Sequence, residues 1–335
     1  MRGPDPRLPW ASSPLRPVVC LGESMVMLVP QTRGRLVDGH PFSAAVGGAE
    51  SNVACYLAGL GVTARWVSRV GDDAFGRLVM DSVAAAGVDI SQVDVDTARV
   101  TGCYVKELGE TSTRVRYYRG GSAAAAMGPE VCEHAGLGSA SVLHLSGITA
   151  ALSASCRALM DDLTRLPRGE TIVSFDANWR AALWPDGEGP EVTARLARRA
   201  DLVFVGRDEA AAMWGVDGPS EIAALLEHPP VLVVKDAERG ATLLSGDEIA
   251  WVPSLEVEVV EPVGAGDAFA AGFIAGTLAE LPHRQRLRLG HAVAASALKT
   301  PHDLGPLPEL AQLLELVKAG DAENTGPGTS HRSRP

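Results

Sequence analysis

VGAGDAFAAG, residues 263–272, is the most informative stretch of this 335-residue chain. Gly264 and Gly266 leave backbone N–H groups unobstructed before an apolar helix, predicted over Ala268–Leu281. Such a helix start carries the positive end of the helix dipole and binds anions such as phosphate. Because a carboxylate would repel phosphate, we interpret Asp267 as the acceptor of a proton from an attacking hydroxyl. Taken alone, a helix cap and a glycine turn explain the pattern equally well.

The same stretch departs from two common nucleotide motifs. It lacks the GK[ST] ending of a Walker A loop, and Phe269 fills the last glycine position of a dinucleotide GxGxxG. An NAD-dependent dehydrogenase would carry that motif after the first strand, where Gly22-Glu23-Ser24 offers one glycine. The pattern therefore favours phosphoryl transfer over hydride transfer.

The rest of the chain alternates short apolar runs with helix-length stretches. Strands are predicted at Val18–Leu21, Ala64–Val67, Ser141–Leu145, Thr171–Phe175, Leu202–Val205 and Val231–Val234. Helices are predicted at Ala49–Leu60, Asp73–Ala86, Arg195–Arg199 and Ser220–Glu227. This alternation predicts an α/β fold, with a mostly parallel central sheet between two layers of helices.

Two segments break the alternation and predict a small β-sheet lid. Residues 98–120 read as a polar β-hairpin. Residues 24–46 are predicted to form a strand pair, with Leu36–Val37 in the second strand. A separate β-like run, Val257–Val260, precedes the glycine segment at 263–272. We expect the lid to cover a cleft in one domain. The predicted boundaries are one domain over 17–318 and disordered tails at 1–16 and 319–335.

Composition excludes several classes of protein. Lys and Arg number 30 against 41 Asp and Glu, so the net charge of −11 argues against nucleic acid and anionic membranes as partners. The sequence contains no run of about 18 apolar residues, so no transmembrane helix is predicted. The five cysteines are scattered and never spaced as CxxC, which predicts no disulfide framework or zinc site and favours the cytoplasm.

Three further motifs are short polar segments, and two of them contain glycines. The first is GGAESN, residues 47–52, where two glycines precede a helix carrying Asn52. The second, FDANWR at 175–180, ends a buried strand, which is where open α/β sheets bind ligands. The third is KDAERGA, residues 235–241, a polar turn between two strands. A glycine turn and an ordinary hairpin would explain the first and third if each stood alone.

In their order along the chain, with GGAESN first and GAGD last, the four motifs resemble those of the ribokinase-like (PfkB) carbohydrate kinases, over roughly residues 18–315. Within that family, the chain is most similar to 2-keto-3-deoxygluconate kinases. This closer resemblance rests on RVRYYR at 114–119, HLSGI at 144–148, GGAESN and PVGAGDAFAAG. It implies a three-layer α/β/α fold with a β lid and a phosphotransferase acting on an alcohol group.

The resemblance also implies roles for individual residues, with ATP and Mg²⁺ as cofactors and a monovalent cation as a further candidate. Asp267 would be the catalytic base, and Glu209 would help hold Mg²⁺ through water. The anion hole would comprise Gly264, Ala265 and Gly266. The sugar contacts would be Gly48, Asn52, Tyr104, Tyr117, Arg119, Arg180 and Asp267. The ATP contacts would be Asn178, Lys235, Arg239, Gly240, Gly264 and Gly266.

The expected substrate is 2-keto-3-deoxy-D-gluconate, phosphorylated on its 6-hydroxyl. Its carboxylate needs a cationic partner, and Arg119 and Arg180 supply guanidinium groups that can pair with it in a planar fork. A fructokinase-like or ribokinase-like enzyme stays open as an alternative, and so does a catalytically weak sugar-binding regulator on the same fold. The exposed strand edges of the lid favour a homo-oligomer formed through it.

Three positions depart from the family pattern. Gly206 stands where the family usually has Asn, and Cys103 replaces a bulkier apolar residue beside Tyr104. The family places an acidic residue over the sugar near the C-terminus. Ungapped counting from Gly305 puts His302 there, and a shift of one residue puts Asp303 there. None of these departures touches Asp267, so we expect an active enzyme.

Overall fold

The computed structural model describes residues 16–108, 113–134, 137–167, 169–300 and 303–319. It contains thirteen strands: β1 (Val18–Leu21), β2 (Met25–Pro30), β3 (Phe42–Gly47), β4 (Ala64–Gly71), β5 (Asp89–Asp96), β6 (Cys103–Leu108), β7 (Thr113–Tyr118), β8 (Val142–Ser146), β9 (Ile172–Asp176), β10 (Leu202–Gly206), β11 (Val231–Asp236), β12 (Gly240–Ser245) and β13 (Glu248–Val252). All six strands predicted from apolar runs are among them.

The described residues also form eleven α-helices, of which the last three follow β13. They are α1 (Ala49–Gly59), α2 (Ala74–Ala85), α3 (Val131–His134), α4 (Gly147–Ala151), α5 (Ala154–Leu163), α6 (Gly189–Ala197), α7 (Arg207–Trp214), α8 (Pro219–Leu225), α9 (Ala265–Leu278), α10 (His283–Ala297) and α11 (Leu310–Ala319). The predicted helices at Ala49–Leu60, Asp73–Ala86 and Ser220–Glu227 correspond to α1, α2 and α8, and the one predicted over Ala268–Leu281 corresponds to α9. The helix predicted at Arg195–Arg199 overlaps only the C-terminal end of α6.

Nine strands form a central sheet in the order β13-β12-β11-β10-β9-β8-β1-β4-β5. Pairing is parallel from β11 through to β5 and antiparallel for β12 and β13. Two apolar clusters cover its faces. One packs α1, α9 and α10 against the sheet around Trp66 and Phe273, and the other packs α5 and α6 around Phe175. The architecture is therefore three layers, as the alternation predicts.

The remaining four strands form the predicted lid, in the order β3-β2-β6-β7. Strands β6 and β7 are the antiparallel hairpin predicted over 98–120, and β2 pairs with β3. Its turn at 109–112 lies outside the described residues. The lid is continuous with the site because β3 ends at Gly47, and α1 begins two residues later at Ala49.

Some expectations about local structure were wrong. Leu36–Val37 lie in a loop between β2 and β3 and are exposed, because the second lid strand pairs through Phe42–Gly47 instead. Val257–Val260 form no strand, and α9 begins at Ala265, three residues earlier than predicted. Residues 1–15 and 320–335, nearly all of the two predicted tails, lie outside the described residues. No helix of the described chain has the length and apolar character to cross a membrane.

Candidate active site

Asp267 lies in the first turn of α9, where it faces residues from three other parts of the chain. Its Oδ2 accepts a hydrogen bond from Asn52 Nδ2 of α1 at 2.9 Å. Its Oδ1 lies 3.4 Å from Nδ2 of Asn178, which follows β9. The starts of α1 and α9, which the sequence marks with glycines, therefore lie next to each other at the Asp267 carboxylate. The DANWR segment after β9 contacts the same carboxylate through Asn178.

Burial raises the pKa of Asp267 to about 8. The Asn52 hydrogen bond and the Lys235 ammonium lower this pKa, while the carboxylates of Asp176 and Asp303 raise it further. A carboxyl with its pKa near the working pH is suited to take up a proton and to release it again. Asp267 thus has both the position and the proton affinity of a general base.

Lys235 supplies the nearest positive charge. It ends β11, and its Nζ lies 2.8 Å from Oδ2 of Asp176, which is 2 % exposed at the end of β9. Burial lowers the pKa of Lys235, but the carboxylates of Asp176 and Glu209 outweigh burial, so the pKa lies above its ordinary value. A Cβ on Gly266 would lie 3.5 Å from the same ammonium. Lys235 therefore stays charged beside the start of α9.

The start of α9 offers backbone N–H groups because the first turn of a helix leaves them without intrahelical partners. Gly264 is the N-cap, with a φ of +83° that favours glycine. A larger residue at 264 would also clash sterically, since a Cβ on Gly264 would lie 2.6 Å from the carbonyl oxygen of Asp303. The geometry at 264–266 suits an anion hole, with Asp303 packed against its outer side.

A cavity of about 880 Å³ opens beside this helix start. Ala265 and Gly266 line it, together with Lys235, Glu209 and Gly206. Many of its other lining residues are small or apolar and come from the β11–β12 turn, the segment 254–259 and α10: Ala237, Gly240, Ala241, Val257, Val259, Ala294, Ala295 and Leu298. A flat heterocyclic base fits such walls, with a phosphate chain directed at the start of α9.

Glu209 lies at the mouth of this cavity, in the first turn of α7. Its Oε1 accepts the backbone N–H of Trp179, and its Oε2 accepts that of Gly206. Burial raises the pKa of Glu209, while the nearby Lys235 ammonium lowers it. Because each oxygen already accepts a backbone bond, the group fits a metal ion held through water better than one held directly.

On the opposite side of Asp267, the lid and the C-terminal segment converge over Gly47. A Cβ on Gly47 would lie 2.5 Å from Tyr104 Oη and 2.6 Å from Asp303 Oδ2. Oδ2 of Asp303 is also 3.5 Å from Asn52 Nδ2, and Asp303 is 4 % exposed. Gly48, one residue on, is the N-cap of α1. The structure thus brings Asp303 close to Asn52 and Gly47, while His302, the other candidate from the sequence, lies outside the described residues.

Arg119 lies at the inner end of the lid hairpin. Its guanidinium carbon is 5.7 Å from the ring centre of Tyr117, whose ring is in turn 5.6 Å from that of Tyr104. The Arg119 side chain is 10 % exposed and forms an ion pair with Glu23, whose side chain is fully buried. Its Nε has no hydrogen-bond partner among the described residues. Arg119 therefore keeps one buried donor that a ligand could use.

Three residues expected at the site lie elsewhere than the resemblance implies. Arg180 lines the large cavity, 3.6 Å from Glu209, and its side chain is half exposed. Asn178 contacts Asp267 and is not part of the cavity lining. Arg239 is 68 % exposed and lies 3.7 Å from Asp236.

Sequence reasoning assigned no role to two residues of the site, Asp176 and His291. Asp176 is the first residue of the DANWR motif, and its carboxylate accepts a hydrogen bond from Lys235 Nζ. His291 of α10 lines the cavity with a buried Nε2, and burial lowers its pKa to about 4. A lone histidine in an apolar helix gives no sequence signal of a binding site. The strand-end position of Asp176 was a signal that could have been used.

A profile of the pfkB family carbohydrate kinases matches residues 16–310. The chain belongs to this family. The 2-dehydro-3-deoxygluconokinase of Bacillus subtilis (strain 168) is 35 % identical over 90 % of this chain and 95 % of its own length. That of Thermoproteus tenax is 32 % identical, over 90 % and 94 %. Fructokinases with 27–31 % identity are also among the relatives.

Solved structures agree with this assignment. A PfkB protein from Polaromonas sp. JS666 has a TM-score of 0.80 and 34 % identity, covering 89 % of this chain and 99 % of its own. A putative Ribokinase II from E. coli has a TM-score of 0.81 at 22 % identity, over 91 % and 100 %, which shows the fold alone. The fold is thus ribokinase-like, and the protein is a sugar kinase that transfers a phosphoryl group to an alcohol.

Proposed function

We propose that this kinase phosphorylates 2-keto-3-deoxy-D-gluconate on its 6-hydroxyl, using ATP and Mg²⁺. The observation that carries the proposal is the buried guanidinium of Arg119, which retains an unpartnered Nε–H beside the tyrosine pair. A buried donor without a partner is costly, and a carboxylate on the substrate would satisfy it. The two relatives named as 2-dehydro-3-deoxygluconokinases support the same choice.

In the proposed mechanism, Asn52 and Asn178 hold the Asp267 carboxylate toward the hydroxyl that attacks. Asp267 accepts the hydroxyl proton as the hydroxyl oxygen bonds to the γ-phosphorus of ATP, and the bond from that phosphorus to the β,γ-bridging oxygen breaks, which releases ADP. The N–H groups at 264–266 and the Lys235 ammonium stabilise the charge that builds on the transferred phosphoryl group. Bound Mg²⁺ would supply further neutralisation of the β- and γ-phosphates. Glu209 would orient water around that metal.

A panel of substrates tests the proposal with purified protein and ADP release as the readout. It should contain 2-keto-3-deoxygluconate, its galactonate-derived epimer, fructose, ribose and the methyl ester of the first. We expect the highest kcat/KM for the keto acid and a large loss for the ester, which has no carboxylate. Equal or better turnover of fructose or ribose would overturn the substrate assignment while leaving the sugar kinase intact.

Arg119 can be tested directly if Glu23 is neutralised with it. Arg119→Met alone leaves the Glu23 carboxylate buried without its cation, which destabilises the fold. The double variant Arg119→Met/Glu23→Gln avoids that charge and should raise the KM for the keto acid. Arg116→Met is the matched control, since Arg116 is an exposed arginine of the same hairpin. An unchanged KM in the double variant would exclude Arg119 as the carboxylate partner.

We further propose a cytoplasmic homo-oligomer formed through the lid. Phe42, Val115 and Tyr118 of the lid are exposed by 39 %, 39 % and 63 %. Covering such apolar side chains would also protect the lid's edge strands. Sedimentation of the purified protein should give a multiple of the chain mass, which Tyr118→Glu should reduce. Sedimentation as a monomer at assay concentration would contradict this.

A further inference from the structure

Lys106 is a buried lysine on the inner side of the lid, 5 % exposed. It lies two residues after Tyr104 on β6, so both side chains project from the same face of the strand. Tyr104 reaches the sugar side of the site near Asp303, as described above. Lys106 reaches across to a different element, because its Nζ lies 3.0 Å from Oε2 of Glu261.

Glu261 belongs to the segment that joins β13 to α9. It stands three residues before Gly264, which caps the proposed anion hole. Val257 and Val259 of the same segment line the nucleotide cavity. The backbone N–H of Val260 donates to the carbonyl of Leu298 at 2.7 Å. One short segment therefore forms a wall of the cavity and leads directly into the helix start that faces phosphate.

The segment has little regular structure of its own to hold it. Residues 253–262 belong to no helix or strand. Glu261 itself is tied to the lid through Lys106, whose side chain is 7 % exposed, against 26 % for that of Glu261. A buried ammonium needs a charged partner, so this contact resists separation.

A second ion pair of the lid shows the contrast. Arg116 and Glu107 face each other within the hairpin at 3.5 Å, and their side chains are 59 % and 43 % exposed. An exposed pair inside one element has little effect on stability and links nothing else. The pair of Lys106 with Glu261 is buried on one side and joins the lid to the nucleotide half of the site.

We propose that Lys106 and Glu261 are positioning residues that couple the lid over the sugar to the loop that shapes the anion hole. The inference rests on the proposed function of residues 264–266 as that hole. When sugar orders the lid, Lys106 holds Glu261 in place, and the N–H groups that follow keep their geometry during phosphoryl transfer. Sugar and nucleotide then strengthen each other's binding by the same factor.

The kinetic test compares Lys106→Met and Glu261→Gln with the control Arg116→Met, on whichever sugar the wild type turns over fastest. We expect kcat to fall roughly 10- to 100-fold in both test variants, because small displacements of reacting groups have effects of that size. KM for sugar should change less, and the control should keep kcat within about twofold. Glu261→Gln keeps the hydrogen bond without the charge, so it remains informative if Lys106→Met folds poorly.

The charge-reversed pair Lys106→Glu/Glu261→Lys should recover part of the lost kcat. Direct coupling is measured by titrating a non-hydrolysable Mg·ATP analogue with and without sugar. In wild type the sugar should tighten binding of the analogue, and in Lys106→Met this factor should approach one. A wild-type kcat and an undiminished coupling factor in Lys106→Met would overturn the proposal.

Amide hydrogen exchange in the ligand-free protein separates this inference from the proposed function. Exchange over residues 255–266 should be faster in Lys106→Met than in wild type, while the central strand β10 should exchange as before. Faster exchange in both regions would mean a general loss of stability and would overturn the coupling role. If no sugar is phosphorylated but the local change occurs, the proposed function fails and the link between lid and loop stands.

Discussion

Asn52 Nδ2 donates a hydrogen bond to Asp267 Oδ2 at 2.9 Å, joining positions 215 residues apart in the chain. Each residue lies in the first turn of a helix that follows a glycine, so the two helix starts face each other. The bond favours the charged form of Asp267, which burial and two neighbouring carboxylates disfavour. The proton affinity of the proposed base therefore depends on this contact.

Removing the contact should shift the pH dependence of the enzyme. The pKa of Asp267 is about 8, so kcat/KM should rise with pH up to about that value. In Asn52→Leu the carboxylate loses a donor that lowers its pKa, and the rising limb should move to higher pH. Profiles of kcat/KM between pH 6 and 9.5 measure the shift. A limb that stays in place would show that Asp267 does not set it.

Asp267→Asn should lower kcat by a factor on the order of 10² to 10⁴, because it removes the proposed general base. It should also change stability in a pH-dependent way. The folded protein binds the Asp267 proton with a pKa of about 8, against about 3.9 in an unfolded chain. Stability from this group is therefore full below about pH 4 and declines as pH rises toward 8.

Asparagine does not titrate, so the variant should melt a few degrees above wild type at pH 8. The difference should shrink toward pH 4 to 5. Thermal melts across this range provide the measurement, and sugar binding by calorimetry is the control for an intact site. A variant less stable than wild type at pH 8 would contradict the raised pKa.

Lys235→Met should destabilise the protein by about 3–5 kcal/mol, because the carboxylate of Asp176 stays buried without its cation. Adding Asp176→Asn removes that charge and should recover most of the stability. Activity should remain low in both variants, because the ammonium beside Gly266 is missing. Urea denaturation with ADP release checks this. Full activity in the double variant would exclude Lys235 from phosphoryl transfer.

Gly264→Ala and Gly266→Ala form a matched pair of helix-start variants. At Gly264, a φ of +83° and a backbone oxygen 2.6 Å from the new methyl should cost on the order of 1–3 kcal/mol. At Gly266 the nearest atom to the new methyl is 3.5 Å away, which is an ordinary contact. Denaturation curves should therefore show a clear loss for the first variant and little change for the second. Equal losses would mean that the two backbones are equally constrained.

Much of the fold could be predicted because its signals are local. Most residues of the six predicted strands are apolar and buried, as expected for a parallel sheet covered on both faces. Strand β5, DISQVDVD, escaped prediction because it is a polar, half-exposed edge strand. The second lid strand was misplaced because Leu36–Val37 is the more apolar run, yet β2 pairs with Phe42–Gly47.

For the candidate site too, local motifs could be predicted from the sequence and distant partners could not. GAGD, GGAESN, DANWR and KDAERGA could be identified because each is a short polar or glycine-rich segment at an element boundary. Partners were not predictable, since nothing near Arg119 in the sequence indicates that Glu23 neutralises it. Likewise, nothing near Lys106 indicates Glu261, which lies 155 positions away.

The sequence by itself determined the α/β alternation, the glycine-capped helix start and the place of the candidate carboxylate Asp267 within it, because these follow from periodicity and local motifs. Only the tertiary structure decided that Asp303 lies beside Gly47 and Tyr104, that Asp267 has a pKa near 8 and that Lys106 ties the lid to the loop. The burial of a site residue and the charges around it depend on segments that are far apart in the sequence. They arise when the chain packs and cannot be read from any one stretch of it.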